Sequence, residues 1–224
     1  MKTFKNNQHT LKEASLFSSV GIGETLLHQV YSHLEFTAIE LIPKLACEYK
    51  VRFPTAQVEI TDAYSFLYKN YHLFDIILAS PPCQSYSKLS KMNNPDLQPD
   101  QRIKQMIDFL RENHDGIWIV ENVDAPYLRT IPGYIKIGRH LFWSNVKLEN
   151  TFSYPKKYFR FDKQTYAEQG LSATQTYVKN LQDWLGVKLS KNIYIRGNHD
   201  PGQIYREAVH PQLMLSIFQQ LLEK

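Results

Sequence analysis

Cys83 stands directly behind Pro81-Pro82, and these prolines close the apolar run Phe74-Asp75-Ile76-Ile77-Leu78-Ala79. Proline lacks the amide that a strand ladder needs, so the pair ends the strand and sets Cys83 on a stiff turn. A thiol presented in this way can act as a nucleophile, because the thiolate is the reactive form. The competing reading is an inert buried cysteine; the polar Gln84-Ser85-Tyr86-Ser87 that follows argues against an apolar site. Glu121, in Glu121-Asn122-Val123, is a second candidate, either a general acid or an ion-paired acid at a strand end.

The elements that must position these groups follow from the hydrophobic pattern. Ala14-Ser15-Leu16-Phe17 reads as a short buried strand, Ser18 to Gly23 as a turn, and Glu24 to Tyr31 as a helix. The strand Phe36 to Leu41, the helix Leu45 to Lys50 and the strand Val58 to Asp62 come next, and each strand ends in an acid, Glu40 or Asp62. A fourth strand spans Asp75 to Ala79, a helix spans Gln101 to Arg111, and a fifth strand, Gly116 to Val120, runs into Glu121. Strands alternating with helices predict an α/β, doubly wound parallel sheet, whose ligands lie beyond the carboxyl ends of the strands. Glu40, Asp62, Cys83 and Glu121 all fall at such ends. In these folds an acid after the second strand holds ribose hydroxyls, the alternative being a solvated loop acid. Asp62 carries the same choice, with a helix N-cap as its alternative. Gly21 and Gly23 are the only glycines of the first loop, which reads equally as a cofactor cradle or a plain tight turn.

The chain has 224 residues, 43% hydrophobic and 21% charged, which excludes a largely disordered polypeptide. No apolar stretch reaches the roughly 18 residues of a membrane span, and the polar start leads into no secretory segment, so a cytoplasmic protein with no membrane partner is expected. Cys47 and Cys83 are the only cysteines, and neither has the neighbours of a zinc site. The net charge of +4 permits contact with a polyanion without requiring it. From about Glu149 to Ile195 the chain turns rich in Tyr, Lys, Gln and Asn, includes Tyr154-Pro155-Lys156-Lys157-Tyr158-Phe159-Arg160, and has no clear period. The expected organisation is a core over residues 1–148, a small appended lobe over 149–195, and a C-terminal segment, 196–224, whose helix from Pro211 to Leu222 packs back on the core.

The motifs, taken in order, resemble those of the DNA cytosine-C5 methyltransferases. Leu16 to Glu24 is similar to their first, cofactor-binding motif, Ser80 to Ser87 to their nucleophile motif, and Glu121-Asn122-Val123 to their catalytic Glu-Asn-Val. Arg139-His140-Leu141-Phe142-Trp143-Ser144-Asn145 resembles a segment of compact, phage-like members. The resemblance implies a Rossmann-like S-adenosylmethionine-dependent methyltransferase fold with a small recognition lobe, acting on double-stranded DNA. It makes Cys83 the nucleophile at cytosine C6, Glu121 the acid that engages N3, and base flipping the route by which the cytosine is reached.

The same matching implies that Phe17, Ser19 and Gly21 line the cofactor site, that Glu40 binds the ribose hydroxyls, that Leu41 flanks the adenine and Asp62 contacts its amino group, and that Pro81 lies by the methionine part. Arg139 matches one arginine of a later Gln-x-Arg-x-Arg motif and is expected to position Glu121 or the backbone of the flipped base. Ser19 and Ile22 stand where the family usually has glycine, and Ile137 and Leu141 flank Arg139 where that later motif has Gln and Arg. The closing Gly-Asn-x-Val motif corresponds only to Arg206-Glu207-Ala208-Val209, or to Gly197-Asn198 from elsewhere. The 149–195 stretch occupies the place of the family's target-recognition domain, with a partner subunit supplying part of that surface as one option. Two alternatives are methylation of cytosine in RNA and a non-catalytic DNA-binding regulatory homologue.

Overall fold

The computed structural model describes residues 10–83, 100–155, 173–195 and 200–222. Seven strands form one sheet: β1 (Lys12–Leu16), β2 (Glu35–Ile39), β3 (Gln57–Glu59), β4 (Ile76–Ala79), β5 (Ile117–Val123), β6 (Tyr134–Ile137) and β7 (His140–Ser144). Their spatial order is β3-β2-β1-β4-β5-β7-β6. The first five run parallel, whereas β7 is antiparallel to both of its neighbours. The expected doubly wound α/β arrangement is present, with an antiparallel strand added near one edge.

β4 is buried at all four positions, which is why it reads as an uninterrupted apolar run. Its side chains alternate between two cores. Ile76 and Leu78 pack with Leu27 of α1 (Thr25–Val30), Tyr49 of α2 (Pro43–Arg52), and Leu213, Ile217 and Phe218 of the C-terminal helix (Pro211–Leu222). Ile77 and Ala79 pack on the other face with Leu67 of α3 (Ala63–Asn70) and with Ile103, Met106, Ile107 and Leu110 of α4 (Arg102–Asn113). Those four α4 residues recur at helical spacing, which gives the helix a single apolar face. The C-terminal helix occupies the expected residues and packs on the main core, as its apolar stripe requires.

A third cluster joins the first loop to the later chain. Val20, Ile22 and Leu45 pack with Tyr177, Val178, Leu181 and Leu185 of α5 (Ala173–Leu185), and with Ile204 and Tyr205 of α6 (Gln203–Glu207), so that the C-terminal helix becomes α7. Several elements go beyond the periodicity read above. Helix α3 carries Tyr64, Phe66 and Tyr68, whose aromatic alternation mimics a strand. Helix α5 lies within the stretch that has no clear period. The β6–β7 hairpin extends β5 by pairing, so Glu121, Asn122 and Val123 belong to the strand, opposite Phe142, Leu141 and His140. No helix among the described residues is long and apolar enough to cross a membrane.

Candidate functional site

The carboxyl ends of β1, β2, β4 and β5 open onto a cavity of about 520 Å³. Phe17, Ser19, Glu40, Leu41, Asp62, Pro81, Cys83 and Glu121 all line it. Gly21 and Arg139 do not, although both adjoin residues that do.

On the β1–β2 side the main chain holds the polar groups. Phe17, Ser19 and Gly21 take φ values of 60°, 52° and 66°, in the left-handed region that glycine enters most easily. This coiled loop turns the Ser19 amide toward the end of β2, where it donates to Glu40 Oε2 at 2.9 Å. The Ile42 amide donates to Oε1 at 2.8 Å, so each oxygen of this buried carboxylate is anchored by backbone. A carboxylate oxygen can accept more than one hydrogen bond, so these two amides alone do not exhaust the acceptors of Glu40. Leu41 beside it is 61% exposed, an apolar surface at the cavity. Asp62 caps α3, its Oδ1 accepting from the Ser65 amide at 2.8 Å, and it also lines the cavity, so the capping and cavity readings hold together. Gly21 serves packing instead: a Cβ there would lie 2.6 Å from both Phe53 and Tyr49.

On the β4–β5 side, side chains hold the site. The Ser80 amide donates to Leu16 O at 3.2 Å, which keeps the end of β4 beside β1 as the proline turn begins. Asn122, 2% exposed, donates from Nδ2 to Pro81 O at 2.7 Å and so fixes the turn that presents Cys83 to β5. Cys83 is half-buried and is not in a disulfide. Glu121 accepts at Oε1 from the ring of His140, 2.5 Å from Nδ1. Arg139, exposed at the strand start, reaches the His140 ring and the carbonyls of Arg206 and Ala208. The residues Gln84-Ser85-Tyr86-Ser87, Lys156 to Arg160 and Gly197-Asn198 lie outside the described residues.

A third set of acids lies at the cavity floor. Glu13 on β1 and Glu24 at the start of α1 are both buried, and Ser15 Oγ lies 2.7 Å from the first and 2.8 Å from the second. Tyr49 donates its hydroxyl to Glu24, and His28 Nε2 is 2.8 Å from that same hydroxyl. Burial pushes the Glu24 carboxyl up to about 7, against the lowering effect of the Tyr49 and Ser15 hydrogen bonds and of the Arg52 charge. Burial, and then the Glu24 charge, raises Glu13 well above the ordinary range. Burial and the nearby Arg52 charge pull the His28 imidazole down to about 4. Ser15 and Glu24 line the cavity, so this network is its floor.

The sequence reading missed His140, the tethering role of Asn122, and the pair Asp100–Arg102 at the cavity rim, where Arg102 also lies 4.7 Å over the Tyr64 ring. A signal for His140 was available, since it is polar in a segment that otherwise reads as apolar strand. Among the described residues, no group of three or more His, Cys, Asp or Glu could hold a metal ion.

Comparison with known proteins adds three findings. The family model for C-5 cytosine-specific DNA methylases matches residues 11–126, just over half of the chain. A curated relative, the Type II methyltransferase M1.HgaI of Avibacterium volantium, is 33% identical over 132 residues, 54% of this chain; the match spans only about a third (36%) of that relative's length. Two solved structures share the fold: the Entamoeba histolytica methyltransferase EhMeth, with a TM-score of 0.55 at 11% identity over 96% of this chain and 99% of that one, and a Spodoptera frugiperda DNMT2 mutant, with a TM-score of 0.51 at 13% identity over 95% and 99%.

Proposed function

The chain belongs to the C-5 cytosine-specific DNA methylase family, and we propose on that basis that it methylates carbon 5 of cytosine in duplex DNA, with S-adenosylmethionine as methyl donor. The observation that carries this reading is that Cys83, Glu121 and the backbone-anchored Glu40 line one cavity. The residues present fit the donor. Glu40 has acceptor capacity for a pair of ribose hydroxyls, Leu41 offers an exposed apolar face to an adenine, Asp62 is an acceptor for its amino group, and Phe17, Ser19 and Pro81 close the remaining wall. When bound, S-adenosylmethionine supplies a methyl group on a positively charged sulfur, open to attack by a nucleophilic carbon.

Cytosine C5 is a poor nucleophile, and the protein's task is to change that. The base must leave the helix stack to enter the cavity. Cys83, as thiolate, forms an Sγ–C6 bond; the C5=C6 electron pair shifts into the ring, and Glu121 at N3 stabilises the charge that develops there. C5 is then an enamine carbon, able to take the methyl group. Once C5 carries it, loss of the C5 proton to a base re-forms the double bond and expels Cys83 Sγ as thiolate. Asn122, which ties Pro81 to β5, keeps nucleophile and acid in one register. The stretch 149–195 is assigned as the target-reading lobe.

The test is transfer of tritium from labelled S-adenosylmethionine to duplex DNA, with transfer RNA in parallel. Wild type is expected to label DNA and Cys83→Ala to give no signal above background. Equal labelling by both would exclude the covalent route, and labelling confined to RNA would overturn the assignment of substrate.

A further inference from the structure

Glu121 is held by a histidine, and the histidine by an arginine. In the β5–β7 register Val123 faces His140 and Glu121 faces Phe142, so His140 and Glu121 are diagonal neighbours on one face of the sheet. Long side chains touch across such a diagonal. His140 Nδ1 is 2.5 Å from Glu121 Oε1, with the two residues 1% and 7% exposed. At the other ring nitrogen, Arg139 Nε donates to His140 Nε2 at 3.2 Å. A guanidinium has donors only, so Nε2 must offer it a lone pair. The ring proton is then on Nδ1, and Nδ1–H is the donor to Glu121 Oε1.

We propose that His140 is the positioning residue for Glu121, with its tautomer fixed by Arg139. The role rests on the function given above, in which Glu121 engages cytosine N3. N3 of the neutral base is an acceptor, so a carboxyl that meets it must bring the proton. Oε1 is committed to accepting from His140, and the proton is therefore carried on Oε2. The histidine thereby selects which oxygen faces the base. Arg139 also donates to the carbonyls of Arg206 and Ala208, and Ala208 lines the cavity. One guanidinium thus couples the support of the acid to the cavity wall, and it does so from one residue behind the reacting atoms.

Nitrogen-15 spectra of the unliganded protein test the tautomer without reference to activity: His140 is expected with its proton on Nδ1 and a bare Nε2. A bare Nδ1, or a doubly protonated ring, would overturn the proposal. In the tritium assay, His140→Phe keeps a ring but has no donor, and is expected to lower kcat about 100-fold while KM for S-adenosylmethionine stays within about threefold. His140→Asn leaves a gap yet keeps an N–H near the Nδ1 position, and should recover kcat to within about tenfold of wild type. The reverse order, Phe active and Asn inactive, would mean that His140 only fills space and would also overturn the proposal. If the wild type labels no nucleic acid, the function assigned to Glu121 falls, and the spectra alone decide the His140–Arg139 assignment.

Discussion

Glu40 and Glu121 are two buried glutamates on one cavity, held in opposite ways. Glu40 is fixed by the amides of Ser19 and Ile42, groups that only a proline substitution or a backbone rearrangement can remove. Glu121 is fixed by an imidazole contributed by a separate strand, itself oriented by a guanidinium. Backbone anchoring suits a group that binds a constant ligand, because its geometry follows directly from the fold. Anchoring at a single oxygen suits a group whose proton must sit on the other, because the anchored oxygen accepts, whereas Glu40 has a donor on each oxygen. The two halves of the site should therefore fail differently.

The largest effect is expected on the side-chain-held half. On the proposed mechanism Glu121→Ala removes the group assigned to stabilise the developing ring charge, and kcat should fall by about 1,000-fold, within the range for a general acid. Affinity for S-adenosylmethionine, measured by calorimetry, should stay near wild type. Unaltered turnover would remove Glu121 from the chemistry and leave the comparison with Glu40 without content. Glu40→Ala should show the converse. If Glu40 holds the ribose hydroxyls as proposed, loss of those charge-assisted hydrogen bonds should weaken S-adenosylmethionine binding about 10- to 100-fold. At saturating S-adenosylmethionine kcat should change by only a few-fold, and a loss of kcat matching the loss of affinity would show that the halves are not separable.

The same contrast decides what could be read before the fold was known. Glu40, Asp62 and Cys83 were legible because a parallel sheet sends the ends of its strands to one edge, so a polar residue closing each apolar run is already placed. The run Ile76 to Ala79 needed no partner to declare itself. His140 was legible only as a polar residue in an apolar strand; its role comes from an antiparallel register that sets it diagonal to Glu121. Strand alternation gives the face of a residue but not its neighbour across the ladder. Arg139 was recognised as significant, but its hydrogen bonds run to His140 and to the 206–208 carbonyls, a long-range arrangement that local sequence does not encode. Helix α3 was hidden by aromatic spacing that fits a strand as well as a helix. Glu13 and Glu24 were passed over because glutamates at the ends of elements are ordinarily solvated, and only the packing of Tyr49 and α1 over them makes them buried.

That buried pair is a third way of holding acids, with neither backbone amides nor a charged partner as its main support. One hydroxyl hydrogen on Ser15 cannot serve both carboxylates, so a proton on one of the two carboxyls, donated to Ser15 Oγ, completes the network. The consequence is a pH-dependent stability with a defined sign. Glu24 moves from an ordinary 4.5 to about 7 in the folded state, and Glu13 moves the same way. The folded chain then holds protons that the unfolded chain has released. The Glu24 contribution is complete below pH 4.5 and is lost as pH rises toward 7, at up to roughly 1.4 kcal/mol per pH unit, and Glu13 adds to it with the same sign. His28 acts oppositely: its fall from 6.5 to about 4 gives stability that is present above pH 6.5 and lost as pH falls toward 4. The two trends overlap between pH 4.5 and 6.5, so wild type alone conceals them. The double substitution Glu13→Gln with Glu24→Gln keeps the shape of the network and removes only the carboxyl titrations. In urea denaturation, the stability of wild type relative to this variant should decline steadily from pH 4.5 to 7, and the variant alone should gain stability with pH under the influence of His28. A wild-type-minus-variant difference that is flat across that window would mean that the two glutamates titrate as solvated acids, and that the cavity floor holds no extra proton.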